Sequence, residues 1–271
     1  MILSCRPAVH ARGWGQTHAG GQIHEPVRPL GRAWQGGSMS RRIQELDFQQ
    51  TPMGELVLRR RVEPLLGVDV FEVLLGEEHL MSTLFTVAEV ELARLGLAAV
   101  AGAALDVVVG GLGLGFTARA ALEDPRVRAL AVVEALPQVI GWHERGLLPH
   151  SADLTGDDRC QLVLGDFFAL VREGTLPVSH AVLLDVDHSP RHVLHPSHAD
   201  LYTADGLRRL AARLHPGGVF ALWSDDPPDE DFQDLLRQVF ATAGAQVVPF
   251  PNHHTGTTSS NTVYVATVPS P

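Results

Sequence analysis

The chain has 271 residues, of which 45% are hydrophobic, and a formal net charge of −10 at pH 7. This length fits one large domain or a domain with appendages, with enough apolar material for a substantial core. The acidic balance argues against a general nucleic-acid binder. We expect no membrane span, because charged residues and glycines interrupt the most apolar stretch, residues 92–109.

All 21 cationic side chains are arginines, since the sequence contains no lysine. This excludes a Walker A loop, a pyridoxal phosphate Schiff base and a lysine nucleophile. The two cysteines, Cys5 and Cys160, lie far apart and give neither a disulfide framework nor the spacing of a zinc site. We therefore expect a cytoplasmic protein without a bound metal.

The N-terminal region changes character before residue 50. Residues 1–38 contain Gly, His, Arg, Pro and Gln without periodicity or the apolar core of a signal peptide, and we expect a disordered tail over residues 1–46. The segments "GELVLRRR" and "VDVFEVLLG" are typical of strands, and "TVAEVELARLGL" has helical spacing. Residues 47–97 are therefore predicted to form a small β-domain followed by a helix.

Strands alternate with helices from residue 98 to residue 271. The predicted strands are 105–111, 129–135, 160–166, 180–186, 217–224, 245–251 and 261–268. Alternation indicates a parallel sheet covered on both faces, whereas the last two strands lack an intervening helix and should pair antiparallel. We predict an α/β fold with a seven-stranded, mostly parallel, Rossmann-like sheet of the class I methyltransferase type, ending in an antiparallel C-terminal hairpin and preceded by the small β-domain.

The stretch "VVVGGLGLGF" (107–116) runs from β-forming valines into a cluster of glycines at the end of the first strand of this region. Glycines let a backbone lie against a ligand, and the N-terminus of the following helix offers free N–H groups. The candidate cofactor-binding residues are Gly110, Gly111, Gly113 and Gly115. Glycine-rich turns also serve close packing, and residues 113–118 fit a dinucleotide variant, so the loop alone does not name the cofactor.

Acidic residues stand at the ends of the next three strands. Glu134, about 20 residues after the loop, is placed to accept the hydroxyls of a ribose. Asp166 is placed to accept from an adenine amino group, and Asp185 ends the strand nearest the reacting centre. One such acid is usually a solvated loop residue, but three in series after a glycine loop indicate an adenosine-type ligand.

From residue 54 to residue 266 the sequence resembles the spermidine synthase family, the aminopropyltransferases built on the methyltransferase fold. The segments that carry the resemblance are "VVEALPQVI", "LVLGDFFALV", "AVLLDVDHSP" and "LYTADGLRRLAARLHPGGVFALW". It implies transfer of an aminopropyl group from decarboxylated S-adenosylmethionine to an amine such as putrescine, with methylthioadenosine leaving. It also implies that Asp185 takes the proton of the amine, with Asp187 as the reserve candidate.

The sequence departs from the family pattern at three places. Gly113 stands where the family loop has an Asp that helps hold the charged aminopropyl tail, "DVDHSP" is one residue longer than the family's catalytic loop, and "LFTVAEVE" replaces a segment with a Tyr and an Asp. These changes touch the tail and the amine pocket, not the adenosine pocket. Two alternatives stay open: a methyltransferase that uses ordinary S-adenosylmethionine on a small molecule, and a nucleoside-binding relative without turnover.

Two further segments lie on the predicted ligand side. "SDDPPDED" (224–231) fits a charged first helix turn, or a site where Asp225 and Asp226 attract an amine. The histidines of "HSPRHVLHPSH" (188–198) are separated by two prolines, so we expect a polar lid that includes His188 as a substrate contact, not a metal site. The expected partner is a small-molecule amine, with no nucleic acid or membrane, and the resemblance allows a homodimer.

Overall fold

The computed structural model describes residues 43–51 and 54–270. Residues 1–42 of the predicted tail lie outside the described residues. The last four residues of that predicted tail belong instead to the first strand, β1 (Ile43–Thr51), which begins before the boundary expected at residue 47. The physical reason is pairing: β1 runs antiparallel to β2 (Gly54–Val62) from Ile43 opposite Arg61 to Thr51 opposite Gly54, which gives a polar segment regular hydrogen-bond partners.

The small N-terminal sheet has four antiparallel strands in chain order, completed by β3 (Asp69–Leu75) and β4 (Glu78–Ser82). Its inner face packs into the same hydrophobic cluster as the helix α1 (Val87–Ala98) that follows it. A polar contact adds to this, because the Asp47 carboxylate accepts hydrogen bonds from the Trp142 indole at 2.6 Å and from Arg145 at 2.7 Å. The small sheet is thereby fixed against the larger part of the molecule.

The larger part is a seven-stranded sheet with helices on both faces. Its strands are β5 (Leu105–Gly110), β6 (Val127–Glu134), β7 (Cys160–Leu164), β8 (Ser179–Leu184), β9 (Leu214–Ser224), β10 (Thr242–Asn252) and β11 (Thr257–Thr267). Its helices are α2 (Phe116–Leu122), α3 (Pro137–Glu144), α4 (Ser151–Thr155), α5 (Phe167–Glu173), α6 (Ala204–Ala211) and α7 (Glu230–Val239). A short 3₁₀ helix, Pro196–His198, lies between β8 and α6.

The strand order across the large sheet is β10-β11-β9-β8-β5-β6-β7. Strands β5 to β9 pair in parallel, while β11 lies between β9 and β10 and runs antiparallel to both. This confirms the predicted mostly parallel sheet with its antiparallel C-terminal hairpin. The chain leaves β5 toward β6 and β7 and returns on the other side to β8, so the ends of β5 and β8 form the topological switch point where ligands bind in open α/β sheets.

The apolar strand "VVV" explains why the sheet is covered on both faces. Val107 and Val109 belong to the hydrophobic cluster under α1, whereas Val108 belongs to the cluster on the opposite face, with Phe168 and Phe232. Successive side chains of a strand point to opposite faces, so a continuous apolar run needs cover on both sides. No helix in the described ranges is long and apolar enough to cross a membrane.

One element boundary differs clearly from the prediction at the C-terminal end. The strand predicted over residues 245–251 begins earlier, at Thr242, and the helix α7 before it ends at Val239. Pairing with β11 along its whole length, from Thr242 opposite Thr267, turns "TAGA" into strand although alanine favours helix. The tertiary partner therefore outweighs local propensity in this segment.

Candidate active site

The glycine loop after β5 packs directly on the end of β8. Gly111 has φ +94°, and a Cβ atom there would lie 2.1 Å from the carbonyl oxygen of Asp185. The Asp185 N–H donates to the carbonyl of Gly110 at 2.8 Å. Only a residue without a side chain permits this approach, and the approach brings the loop against the strand that carries the predicted catalytic acid.

Two buried side chains from the next βα unit hold the loop in place. Glu134, at the end of β6, accepts from the backbone N–H of Leu112 at 3.0 Å and from that of Leu136 at 2.8 Å. The Nε2 atom of His143, in α3, donates to the carbonyl oxygen of Gly113 at 3.0 Å. The loop is thus fixed by the protein itself, and Glu134 lies against it as the sequence predicts.

Burial raises the pKa of Glu134, although the N–H groups of Leu136 and Leu112 offset part of the effect. The N–H groups of Gly113 and Ala135 act on the same carboxyl in the same sense. Glu134 therefore holds the loop in position, and its contact with a ribose remains a prediction.

Asp166 follows β7 at the same edge of the sheet. Its Oδ1 atom accepts from the N–H groups of Phe168 at 2.9 Å and Ala169 at 3.1 Å, which makes Asp166 the N-cap of α5. An aspartate at this position is well explained by capping alone. Its place beside the end of β6 is compatible with the predicted adenine contact, which remains a prediction.

The central feature of the site is a pair of half-buried acids, Asp185 and Glu89. Asp185 immediately follows β8, and its Oδ2 atom accepts from the Thr117 hydroxyl at 2.6 Å. Burial raises the pKa of Asp185 to about 6, against the opposing effect of Thr117. Burial, together with the charge of Asp185 and a smaller effect of Asp225, raises the pKa of Glu89 to about 8. With these pKa values, the pair retains one proton near neutral pH, on Glu89.

Glu89 is the functional candidate that sequence reasoning missed. It lies in the first turn of α1, within "LFTVAEVE", where an acid is ordinary because the helix dipole favours it. Its position follows from helix–sheet packing: a Cβ atom at Gly96 would lie 2.6 Å from Leu183, so α1 lies very close to β8. The departure of this segment from the family pattern was the available signal, but the sequence does not show that the helix crosses over β8.

The two acids that follow β9, Asp225 and Asp226, make different contacts. The Oδ1 atom of Asp225 accepts from the Asn261 amide at 2.7 Å, and its backbone N–H donates to the carbonyl of His188 at 2.7 Å. The charge of Asp225 acts on Glu89, so Asp225 lies near the acidic pair. Asp226 instead pairs with His192 at 3.0 Å. A contact of either acid with an amine remains a prediction.

Asp187 has a structural role in place of the reserve catalytic role expected from the sequence. Its side chain is buried, with only 1% of the residue exposed. Oδ1 accepts from the backbone N–H of Leu194 at 2.8 Å and from the His198 ring at 2.7 Å, and Oδ2 accepts from the Tyr202 hydroxyl at 2.8 Å. With both oxygens engaged inside the protein, Asp187 holds the loop after β8.

The histidines of residues 188–198 make separate contacts. His188 lies 3.5 Å from Glu78 of β4, His192 pairs with Asp226, and His198 stacks on Phe168 with ring centroids 3.7 Å apart. The loop thus closes against the small sheet on one side and α5 on the other, in keeping with a polar lid.

A different group of side chains in the described part of the chain has metal-ligand spacing: Asp106, His180 and His215. There the His180 Nδ1 atom already accepts from the Asp106 N–H at 3.0 Å, and the Asp106 carboxylate pairs with Arg128. A neutral imidazole that accepts at Nδ1 carries its proton on Nε2, which leaves no lone pair for a metal.

No family model matches the chain. Among solved structures, it is similar to the spermidine synthase from Thermotoga maritima, with a TM-score of 0.64, 17% identity, and coverage of 82% of this chain and 72% of that one. It is similar to a spermidine synthase in complex with the transition-state analogue AdoDATO, with a TM-score of 0.63, 16% identity and the same coverage. A probable spermidine synthase from Corynebacterium glutamicum gives a TM-score of 0.58 at 13% identity, over 83% of this chain and 79% of that one.

The chain has the spermidine synthase fold. This confirms, for the fold, the resemblance seen in the sequence, including the small sheet in front of the seven-stranded one. In this spermidine synthase fold the small sheet also borders the site. A Cβ atom at Gly113 would lie 3.2 Å from the Met81 sulfur of β4, so a thioether covers the loop where the family pattern has an Asp.

The acidic pair predicts a pH-dependent effect on stability. The folded state favours the protonated form of Glu89. Its contribution to the free energy of unfolding is therefore fully present below its ordinary pKa near 4.5. That contribution is lost as pH rises through the folded-state pKa of about 8. Glu89→Gln, which does not ionise, should therefore gain thermal stability over the wild type progressively from pH 5 to pH 9.

Thermal melts at pH 5, 7 and 9 measure this difference. Glu91→Gln is the matched control for loss of charge on the same helix, because Glu91 pairs with Arg94 at the surface at 3.1 Å. A stability difference between Glu89→Gln and the wild type that is constant with pH would show that Glu89 is not desolvated beside Asp185.

Proposed function

We propose that the protein transfers an aminopropyl group from decarboxylated S-adenosylmethionine to a primary amine such as putrescine. The observation that carries this proposal is the acidic cluster of Glu89, Asp185 and Asp225 beside the glycine loop at the switch point. Glu89 and Asp185 are half-buried and Asp225 is exposed, and carboxylates that lose contact with water are costly unless a positive charge or a proton accompanies them. Because all three groups are acids, the substrate that complements them best is an ammonium ion.

The chemistry follows from the same residues. A primary amine arrives protonated and must lose a proton before its nitrogen lone pair can attack the carbon beside the sulfonium. The new C–N bond forms as the C–S bond breaks, and methylthioadenosine leaves with the electron pair on sulfur. Asp185 accepts the amine proton, since burial brings its pKa to about 6, close to the neutral range in which a general base is most effective.

The nucleoside end of the donor substrate is assigned to the loop side of the site. Glu134 supplies acceptors for the ribose hydroxyls, the loop of residues 110–115 supplies backbone against which the ligand lies, and Asp166 is placed near the base. The similarity to a spermidine synthase solved with a transition-state analogue supports this arrangement.

Calorimetry with methylthioadenosine, decarboxylated S-adenosylmethionine and S-adenosylmethionine, followed by mass spectrometry of reactions with putrescine, tests the proposal. We expect the decarboxylated donor to bind more tightly than the intact one and spermidine to appear. Methylated products, or tighter binding of the intact donor, would favour a methyltransferase instead. That second candidate rests on Gly113, because a loop without the carboxylate of the family pattern does not repel the carboxylate of the intact donor. Nucleoside binding without any product would indicate a non-catalytic relative.

Glu134→Gln should weaken the binding of methylthioadenosine by roughly ten- to a hundredfold, because hydrogen bonds to a charged acceptor are worth about 1.5–3 kcal/mol. Calorimetric titration measures the change. The matched control is Glu144→Gln, which alters an exposed acid at the end of α3 and should leave the affinity unchanged. Equal affinity of the Glu134 variant and the wild type would remove Glu134 from the ligand site.

A further inference from the structure

Thr117 connects the two acids of the site from a third element. It is the second residue of α2 and only 3% exposed. Its Oγ1 atom lies 2.6 Å from the Asp185 Oδ2 atom and 3.2 Å from the backbone carbonyl oxygen of Glu89. The hydroxyl therefore touches both the loop that follows β8 and the first turn of α1.

The two distances indicate where the hydroxyl proton lies. A hydroxyl has one proton, and both neighbours can act as acceptors. A separation of 2.6 Å is typical of a hydroxyl that donates to an ionised carboxylate, whereas 3.2 Å exceeds the usual range for an O–H···O hydrogen bond. The geometry therefore directs the Thr117 O–H bond toward Asp185, whose ionised carboxylate accepts the hydrogen bond.

We propose that Thr117 is a positioning residue for Asp185, whose hydroxyl orients the carboxylate and holds it ionised and ready to accept a proton. The effect of Thr117 on turnover rests on the proposed aminopropyl transfer. The effect of Thr117 on the ionisation of Asp185 does not depend on that function. Among the described residues, Thr117 is the one side chain that donates a hydrogen bond to Asp185.

The other groups around Asp185 do not favour its ionised form. Burial raises its pKa, and Glu89 of α1, whose own pKa is raised to about 8, supplies no positive charge. Asp225, after β9, acts on Glu89. Asp187, on the same loop as Asp185, is held by His198 and Tyr202 and offers no proton to Asp185. Without the Thr117 hydroxyl, nothing in these contacts would favour the ionised form.

The test compares Thr117→Val, which keeps the shape but removes the hydroxyl, with Thr117→Ser, which keeps the hydroxyl. The ionisation of Asp185 is followed by carboxyl ¹³C NMR, with the signal assigned by its loss in Asp185→Asn. Loss of one hydrogen bond to a charged group should raise the Asp185 pKa by about one to two units in the valine variant. The serine variant should stay within a few tenths of the wild type.

An unchanged pKa in Thr117→Val would overturn the proposal, and a lowered pKa would show that Asp185 donates to Thr117 instead. Thr117→Ala gives a second hydroxyl-free variant in case the valine variant does not fold. In the enzyme assay, the acidic limb of the kcat/KM profile should move upward with the NMR value. If the NMR shift occurs but the protein transfers no aminopropyl group, the proposed function fails while the role of Thr117 on Asp185 stands.

Discussion

Asp185→Asn is expected to lower the turnover number by about 10²–10⁴-fold, the usual contribution of a general base, while methylthioadenosine still binds. The substitution preserves the size of the side chain and its ability to accept from Thr117, but an amide does not take a proton from the substrate amine. The aspartate sits directly after β8, with its backbone N–H bound to Gly110 at 2.8 Å, so the variant should keep the backbone geometry.

Steady-state rates measured by product mass spectrometry, together with calorimetric affinities, give both quantities. Asp205→Asn is the control, since Asp205 is an exposed acid in the first turn of α6. If the Asp185→Asn variant turns over at the wild-type rate, Asp185 is not the general base. If the wild type methylates an acceptor that needs no deprotonation, the protein is a methyltransferase instead.

Gly111→Ala should be the most damaging single change to the fold around the site. Alanine at φ +94° is strained, and its Cβ atom would lie 2.1 Å from the Asp185 carbonyl oxygen, so the ends of β5 and β8 must separate. Backbone strain of this kind costs of order 1–3 kcal/mol, and the steric overlap adds to it. We expect a loss of at least about 3 kcal/mol in the free energy of unfolding, with loss of turnover.

Urea unfolding measures this loss, and Gly141→Ala provides the matched control. Gly141 lies within α3, and nothing lies within 4 Å of a Cβ atom placed there. Alanine in a helix should leave stability unchanged or raise it by up to about 1 kcal/mol. A Gly111 variant as stable as the wild type would mean that the loop does not pack on β8 as described.

The glycines of the loop pack closely against neighbouring parts of the protein. Gly111 faces the Asp185 carbonyl, Gly113 faces the Met81 sulfur, and Gly115 faces His143, whose Cε1 atom would lie 2.9 Å from an added Cβ. Each missing side chain is thus explained by protein packing. This packing places the loop beside both Glu134 and Asp185, which is the condition for a ligand to contact all three.

The sequence by itself determined the type of sheet and the edge at which its acids gather. Continuous apolar strands such as "VVV" require cover on both faces, and the ends of successive parallel strands meet at one edge, so Glu134, Asp166 and Asp185 could be placed together without a structure. These conclusions depend only on local pattern and chain order.

Only the tertiary structure decided which acids lie close together and which are engaged elsewhere. Glu89 reaches Asp185 because α1 packs closely on β8 at Gly96, whereas Asp187, two residues beyond Asp185, is enclosed by Leu194, His198 and Tyr202. Strand pairing likewise extends β1 and β10, each in its own sheet, beyond the boundaries predicted from the sequence. The physical reason is common to all of these: desolvation, hydrogen bonding and strand pairing depend on partners distant in sequence, which no local pattern specifies.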